Sequence, residues 1–194
     1  MSFIRSLCVY CGSSSRGAPE HHAAAKRLGA QLARRGITMV YGGGMVGVMG
    51  MCADAALKAG GKVVGVIPKS LDDREVGHRG LTQLIVLDTM HTRKQRMFEL
   101  SDAFAILPGG YGTLDEAFEI ITWRQLGLHD KPVFLVDIAG YWAPLRRLLD
   151  HVIEQNYAQP ESAELYTVVD GVDALFTAMD RAPAPRIAAK AKWM

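Results

Sequence analysis

No stretch of this chain is long and apolar enough to span a bilayer. The opening run MSFIRSLCVYCGSSS holds too short an apolar segment for a secretory leader, so a cytoplasmic location is expected. Cysteine is scarce. Cys8, Cys11 and Cys52 make an odd number without framework spacing, which excludes a disulfide scaffold. Cys8-x-x-Cys11 invites a metal or redox reading. On a strand, however, residues three apart face opposite sides, and no second pair completes a zinc site, so core packing is expected for both. Neither sign of charge dominates: 22 Lys and Arg against 20 Asp and Glu leave +2, which argues against a broad polyanion-binding face. Internal repeats, low-complexity tracts and interdomain linkers are also missing. The basic end RIAAKAKWM (186–194) is too short for a nucleic-acid arm, so residues 1–180 are expected to form one domain and 181–194 a tail.

What the chain does have is alternation. With 194 residues, 49% hydrophobic, it can bury a substantial core. Short apolar runs over 6–12, 37–44, 62–68, 82–88, 103–110, 131–137 and 165–169 read as strands. Amphipathic stretches over 19–36, 46–61, 90–102, 113–126, 143–155 and 171–180 read as helices, and the polar segment 69–80 as a connection. Strands apolar throughout and separated by helices predict an α/β fold. The expected form is a Rossmann-like doubly wound parallel sheet of about six or seven strands, with helices on both faces. In such sheets ligands bind beyond the carboxyl ends of the strands. Three of the strands end in turns of small residues, at Gly12-Ser13-Ser14-Ser15, Gly42-Gly43-Gly44 and Gly109-Gly110-Tyr111-Gly112, and all three should open onto one rim.

The turns differ in what they say. Gly42-x-Gly44-x-x-Gly47 has the form of a dinucleotide fingerprint, but the acid expected about 20 residues later is absent and the turn follows the second strand. Its glycines, like Ser13, either serve a tight turn or touch a ligand directly. PGGYGT (108–113) is the stronger anion signal, since its glycines let backbone N–H groups approach a phosphate at a helix start. It lacks the lysine and spacing of a triphosphate-binding loop, and a monophosphate needs neither. Asp115 and Glu116 follow in what should be the positive end of the helix. Thr113-x-x-Glu116 fits a capping box; alternatively, Glu116 faces another part of the ligand. HTRKQRM (91–97) sets Arg93, Lys94 and Arg96 at a helix start, where the dipole disfavours them, so a ligand phosphate or acids on a neighbouring element are expected as partners. His21, His22 and His151 read as surface residues. His78 lies in the polar connection, with access to the rim open. Met45, Met90 and Met97 either line a pocket or pack.

Together VYGGGMVGVMG, MHTRK and PGGYGTLDE resemble the "Lonely guy" (LOG) family of cytokinin-activating phosphoribohydrolases, whose members are often labelled "possible lysine decarboxylase". The resemblance spans about residues 7–149. It implies a Rossmann-like homodimer that cleaves the N-glycosidic bond of a nucleoside 5′-monophosphate, AMP or isopentenyl-AMP, without metal or organic cofactor and without a nucleic-acid or membrane partner. It also implies Arg93 and Glu116 as the catalytic pair, and Gly109, Gly110, Gly112 and Thr113 as phosphate contacts. Glu75, Lys94 and Thr122 would line the substrate site; Tyr111, Leu114 and Asp115 are carried with the motif, and Ser13, Gly43 and Gly44 with the other turns. Asp115 stands where Glu is common in the family. The decarboxylase label fails a chemical check, because Lys94 is the one lysine assignable to the rim and no pattern supports a Schiff base there. The proton donor to the leaving base is open between His78 and water. Two rival readings are a carrier resembling molybdenum-cofactor carriers, which also use a PGGxGT turn, and a nucleotide sensor without turnover.

Overall fold

Strict alternation along β1 (Ser6–Tyr10) sets the layers. Leu7, Val9 and Cys11 enter one apolar cluster, while Cys8 and Tyr10 enter the other. The two cysteines of the C-x-x-C pair therefore lie on opposite faces of the sheet, both buried and free. Burial pushes the Cys8 thiol up to about 12, so it is protonated and inert at neutral pH.

The structure, a computed structural model, describes residues 3–75 and 77–186, with only the backbone given for 73–75. The other strands are β2 (Thr38–Tyr41), β3 (Val63–Pro68), β4 (Gln83–Leu87), β5 (Ala103–Ile106), β6 (Val133–Asp137) and β7 (Thr167–Asp170). They form one seven-stranded sheet in the order β4-β3-β2-β1-β5-β6-β7, parallel at every pairing. The order reverses at β1: the chain runs out to β4 at one edge and returns to β5 beside β1. That reversal opens a crevice beyond the carboxyl ends of β1 and β5.

Three helices, α1 (Pro19–Arg34), α2 (Gly47–Lys58) and α7 (Gly171–Arg181), cover one face through Leu28, Leu32, Cys52, Leu175 and Phe176. On the other, α4 (Met90–Glu99) and α5 (Tyr111–Gln125) contribute Met97, Phe98, Ala117 and Ile120, with α6 (Ala143–Glu154) packing beside them through Leu145. Each fully buried Leu or Phe is worth about 1.5–3 kcal/mol of transfer free energy, which makes these two clusters the main stabilising term. Under the second cluster the His129 ring accepts from the Lys131 N–H at Nδ1 (3.1 Å) and bonds the Ile120 carbonyl through Nε2 (2.9 Å). Both ring nitrogens are thus committed in the neutral form, and burial lowers its pKa to about 4.

Two elements depart from the sequence reading. Residues 69–75 form a short helix, α3 (Lys69–Glu75), rather than an irregular connection, and Pro160–Leu165 form a 3-10 turn. Helix α5 begins two residues before the expected Thr113. His21 and His22 are half-buried rather than free on the surface, and the segment 187–194 lies outside the described residues. Among the described residues no helix is long and apolar enough to cross a membrane.

Candidate active site

The glycine turn after β5 decides where α5 starts. Gly110 is its N-cap, with extended backbone and no side-chain cap, and the first helical bond runs from the Leu114 N–H to the Gly110 carbonyl at 3.0 Å. The N–H groups of Tyr111, Gly112 and Thr113 precede that bond and have no helical acceptor, so the helix end presents free donors. Gly109 must be glycine: a Cβ there would lie 2.1 Å from Thr113 Oγ1 and 2.8 Å from the Gly12 nitrogen.

Of the two readings of Thr113 and Glu116, the capping box is absent. Thr113 is the third helical residue, its side chain buried under the turn, and Glu116 is the sixth, beyond the first turn. Glu116 Oε1 instead meets Arg93 Nη1 at 3.0 Å, with both side chains about 10% exposed. Arg93 is clamped from two other sides. Its Nε donates to the Val66 carbonyl at 3.0 Å and its Nη1 approaches Met90 Sδ at 3.2 Å. Gly42 makes room for the guanidinium, since a Cβ at that position would sit 2.3 Å from Arg93 Nη2. Burial raises the Glu116 carboxyl above its usual range, while the charge and hydrogen bond of Arg93 oppose the shift.

Two of the three cations at the start of α4 find their partners on α5. Besides the Arg93–Glu116 pair, Lys94 Nζ lies 3.2 Å from Asp115 and 2.9 Å from Glu119. Arg96 pairs with Glu99 on its own helix at 3.0 Å. Burial lowers the Lys94 pKa, but the bonds and charges of Glu119 and Asp115 more than offset it, so the net shift is upward. An ammonium held by two carboxylates is a poor Schiff-base nucleophile. The α4 N-terminus is itself capped, with Thr89 Oγ1 accepting from the Thr92 N–H at 3.1 Å, so its amides are less available to an anion than those of α5.

At the switch point a cavity of about 420 Å³ opens between the turns after β1 and β5. Gly12, Ser13, Ser14, Gly109 and Gly110 line it, as do three residues that the sequence reading missed: Arg16, His21 and Tyr141. Tyr141 follows β6, so the carboxyl-end rule could have found it. A larger hollow of about 550 Å³ lies between β6, β7 and α7, reaching Arg124 and Arg181. It opens at the amino ends of those strands, the wrong end for a ligand in this fold.

The remaining predicted residues do not gather at one place. Gly43 and Gly44 are buried under the chain that follows α3: the Gly43 carbonyl accepts from the His78 N–H at 2.9 Å and Gly44 bridges to Gly77. His78 Nε2 turns to Asp54 on α2 at 2.8 Å. Tyr111 is almost fully exposed, Leu114 half-buried and Thr122 exposed on the outer side of α5. Met97 is core, whereas Met45 and Met90 are partly exposed. The side chain of Glu75 lies outside the described residues.

Residues 49–179 match the family model described as "Possible lysine decarboxylase". Cytokinin riboside 5′-monophosphate phosphoribohydrolase LOG1 of Arabidopsis thaliana is 39% identical over 194 residues, covering 99% of this chain and 91% of the relative. The chain belongs to the LOG family. LOG2 of the same plant is 45% identical over 156 residues, covering 80% of this chain and 73% of its own. Among solved structures, the molybdenum cofactor carrier protein of Chlamydomonas reinhardtii superposes with a TM-score of 0.70 at 21% identity, covering 91% of this chain and 96% of that one. At that identity the likeness speaks for the shared fold alone.

Proposed function

We propose that this LOG-family protein hydrolyses the N-glycosidic bond of adenosine 5′-monophosphates, AMP or N6-substituted forms such as isopentenyl-AMP, to free base and ribose 5-phosphate. The observation that carries this reading is the buried Arg93–Glu116 pair, 3.0 Å apart, whose carboxylate stands on the helix that starts at the uncapped glycine turn. The phosphoribohydrolase names of relatives about 40% identical over the whole chain support it.

The chemistry explains why acids follow an anion-binding turn. Cleavage of the glycosidic bond builds positive charge on the ribose ring. Such a reaction calls for N–H donors at the phosphate and a carboxylate by the sugar. Glu116 lies six residues beyond Gly110, about 9 Å along the helix, so the two demands are separated in space. In this reading the turn residues Gly109, Gly110, Gly112 and Thr113 grip the 5′-phosphate with backbone N–H groups. Glu116 stabilises the ribosyl cation and orients water. Arg93, permanently charged, keeps the carboxylate ionised and does not serve as proton donor to the base. Lys94 holds Asp115 and Glu119 beside the site, and the family resemblance adds Glu75 and Thr122 as substrate residues. Residues 1–180 are taken as one catalytic unit working in the cytoplasm, with 181–194 as its tail.

Chromatography of products after incubation with AMP and with isopentenyl-AMP in EDTA tests the reading. Free base and ribose 5-phosphate in equal amounts are expected. Intact nucleotides at high protein concentration would overturn hydrolysis in favour of a carrier or sensor.

A homodimer belongs to the same proposal. Phe118, Thr122 and the C-cap residue Leu126 fall four residues apart on one stripe along the end of α5, and both apolar members are exposed. A second copy seated there would cover Thr122. Light scattering should give twice the mass of one chain, and a single-chain mass at micromolar concentration would sink the dimer.

A further inference from the structure

The three carbonyls just ahead of α5, those of Pro108, Gly109 and Gly110, are all held. That of Pro108 accepts the Gly12 N–H at 3.2 Å, and that of Gly110 accepts the Leu114 N–H at 3.0 Å. The Gly109 carbonyl accepts the Tyr141 hydroxyl at 2.6 Å, the one side-chain bond of the three. Because a peptide unit is planar and trans, the Gly109 carbonyl and the Gly110 N–H point in opposite directions. Fixing one therefore aims the other. A Gly-Gly peptide is the unit most free to flip, and a flip here would turn a carbonyl toward the anion and the donor away from it.

Tyr141 is itself braced for this task. Ala139 and Gly140, both at positive φ (53° and 73°), turn the chain sharply after β6, and the Trp142 N–H is tied to Asp137 at 3.0 Å. The tyrosine ring packs edge-on against His21 and Trp142, with centroids 5.1 and 4.8 Å away. One side of the ring edges the cavity at the switch point, so the bond sits at the ligand rim and not in the core.

We infer that Tyr141 is a positioning residue for the substrate's 5′-phosphate, acting through the Gly109–Gly110 peptide. The inference rests on the phosphoribohydrolase reading and adds to it a residue from outside the glycine motif. It makes recognition of the phosphate depend on a side chain 32 residues away in sequence.

Tyr141→Phe tests it, because phenylalanine keeps both ring contacts and loses the hydroxyl alone. Calorimetric titrations with ribose 5-phosphate and with adenine, each alone, are compared between the two proteins. Ribose 5-phosphate should bind about 2- to 10-fold more weakly to the variant, the loss of one hydrogen bond. Adenine affinity and melting temperature should hold, and KM for AMP should rise more than kcat falls. Unchanged ribose 5-phosphate affinity overturns the inference. So does an equal loss for both ligands with a lowered melting temperature, which marks a merely structural role. Wild-type protein that binds ribose 5-phosphate without cleaving AMP overturns the hydrolase reading and leaves the Tyr141 comparison in force. Wild-type protein that neither binds ribose 5-phosphate nor cleaves AMP overturns both.

Discussion

Replacing Glu116 with glutamine should lower kcat for AMP by about 10²- to 10⁴-fold while leaving AMP affinity within about threefold. The amide keeps the shape of the side chain and still accepts from Arg93, whose Nη1 lies 3.0 Å away, so the turn that grips the phosphate is undisturbed. What is lost is a negative charge beside the sugar, which matters only as the ribosyl cation forms. The same charge sets the pH dependence of the wild-type enzyme. Burial raises the Glu116 carboxyl above the ordinary value of 4.5, with Arg93 opposing, so kcat should fall with acid through an apparent pKa above that value. Stability runs the other way at this group. A carboxyl whose folded pKa is raised contributes stability below its unfolded pKa and loses it as pH rises through the folded one. Activity from Glu116 is therefore gained over the pH range in which the fold gives up stability there. Steady-state kinetics of wild type between about pH 4 and 8, with the variant at neutral pH, checks both parts. Undiminished turnover in the variant would remove Glu116 from catalysis.

The sheet and its rim were legible from sequence because parallel strands buried on both faces read as unbroken apolar runs, and all seven stand where those runs predict. The helix Lys69–Glu75 was not legible, since KSLDDRE has no apolar stripe. The capping-box alternative at Thr113 fails for a different cause. The pattern Thr-x-x-Glu fits a capping box in one dimension, but Gly110 takes the cap position, moving Thr113 and Glu116 one turn inward. With that shift the acids no longer face the positive end of the helix; they face the cations of α4. The unfavourable placement of Arg93 and Lys94 correctly signalled a partner, and the partner proved to be acids on the neighbouring helix. The roles of Tyr141 and Gly42 stayed hidden, although both stand after strands, because they arise from packing between segments far apart in the chain.

Arg93→Ala should be the most damaging single change to stability among the charged residues of the site. It leaves Glu116, 8% exposed, without its counter-ion, and an orphaned buried charge costs about 3–5 kcal/mol. For a chain of 194 residues that is a fall in Tm of roughly 6–20 °C at neutral pH. The deficit should also carry a pH signature that distinguishes charge from lost packing. With the opposing Arg93 charge gone, the Glu116 carboxyl is raised further, so the variant regains stability as acid neutralises it. Melting curves of wild type and variant should therefore converge from about pH 8 toward pH 5. In the double variant Arg93→Ala with Glu116→Gln the orphaned charge is removed, so it should melt above the single Arg93→Ala variant at neutral pH, a positive coupling between residues in contact. A Tm deficit constant across that pH range, together with additive losses in the double variant, would mean that Arg93 matters for its packing against Val66, Met90 and Gly42 and not for the charge it lends to Glu116.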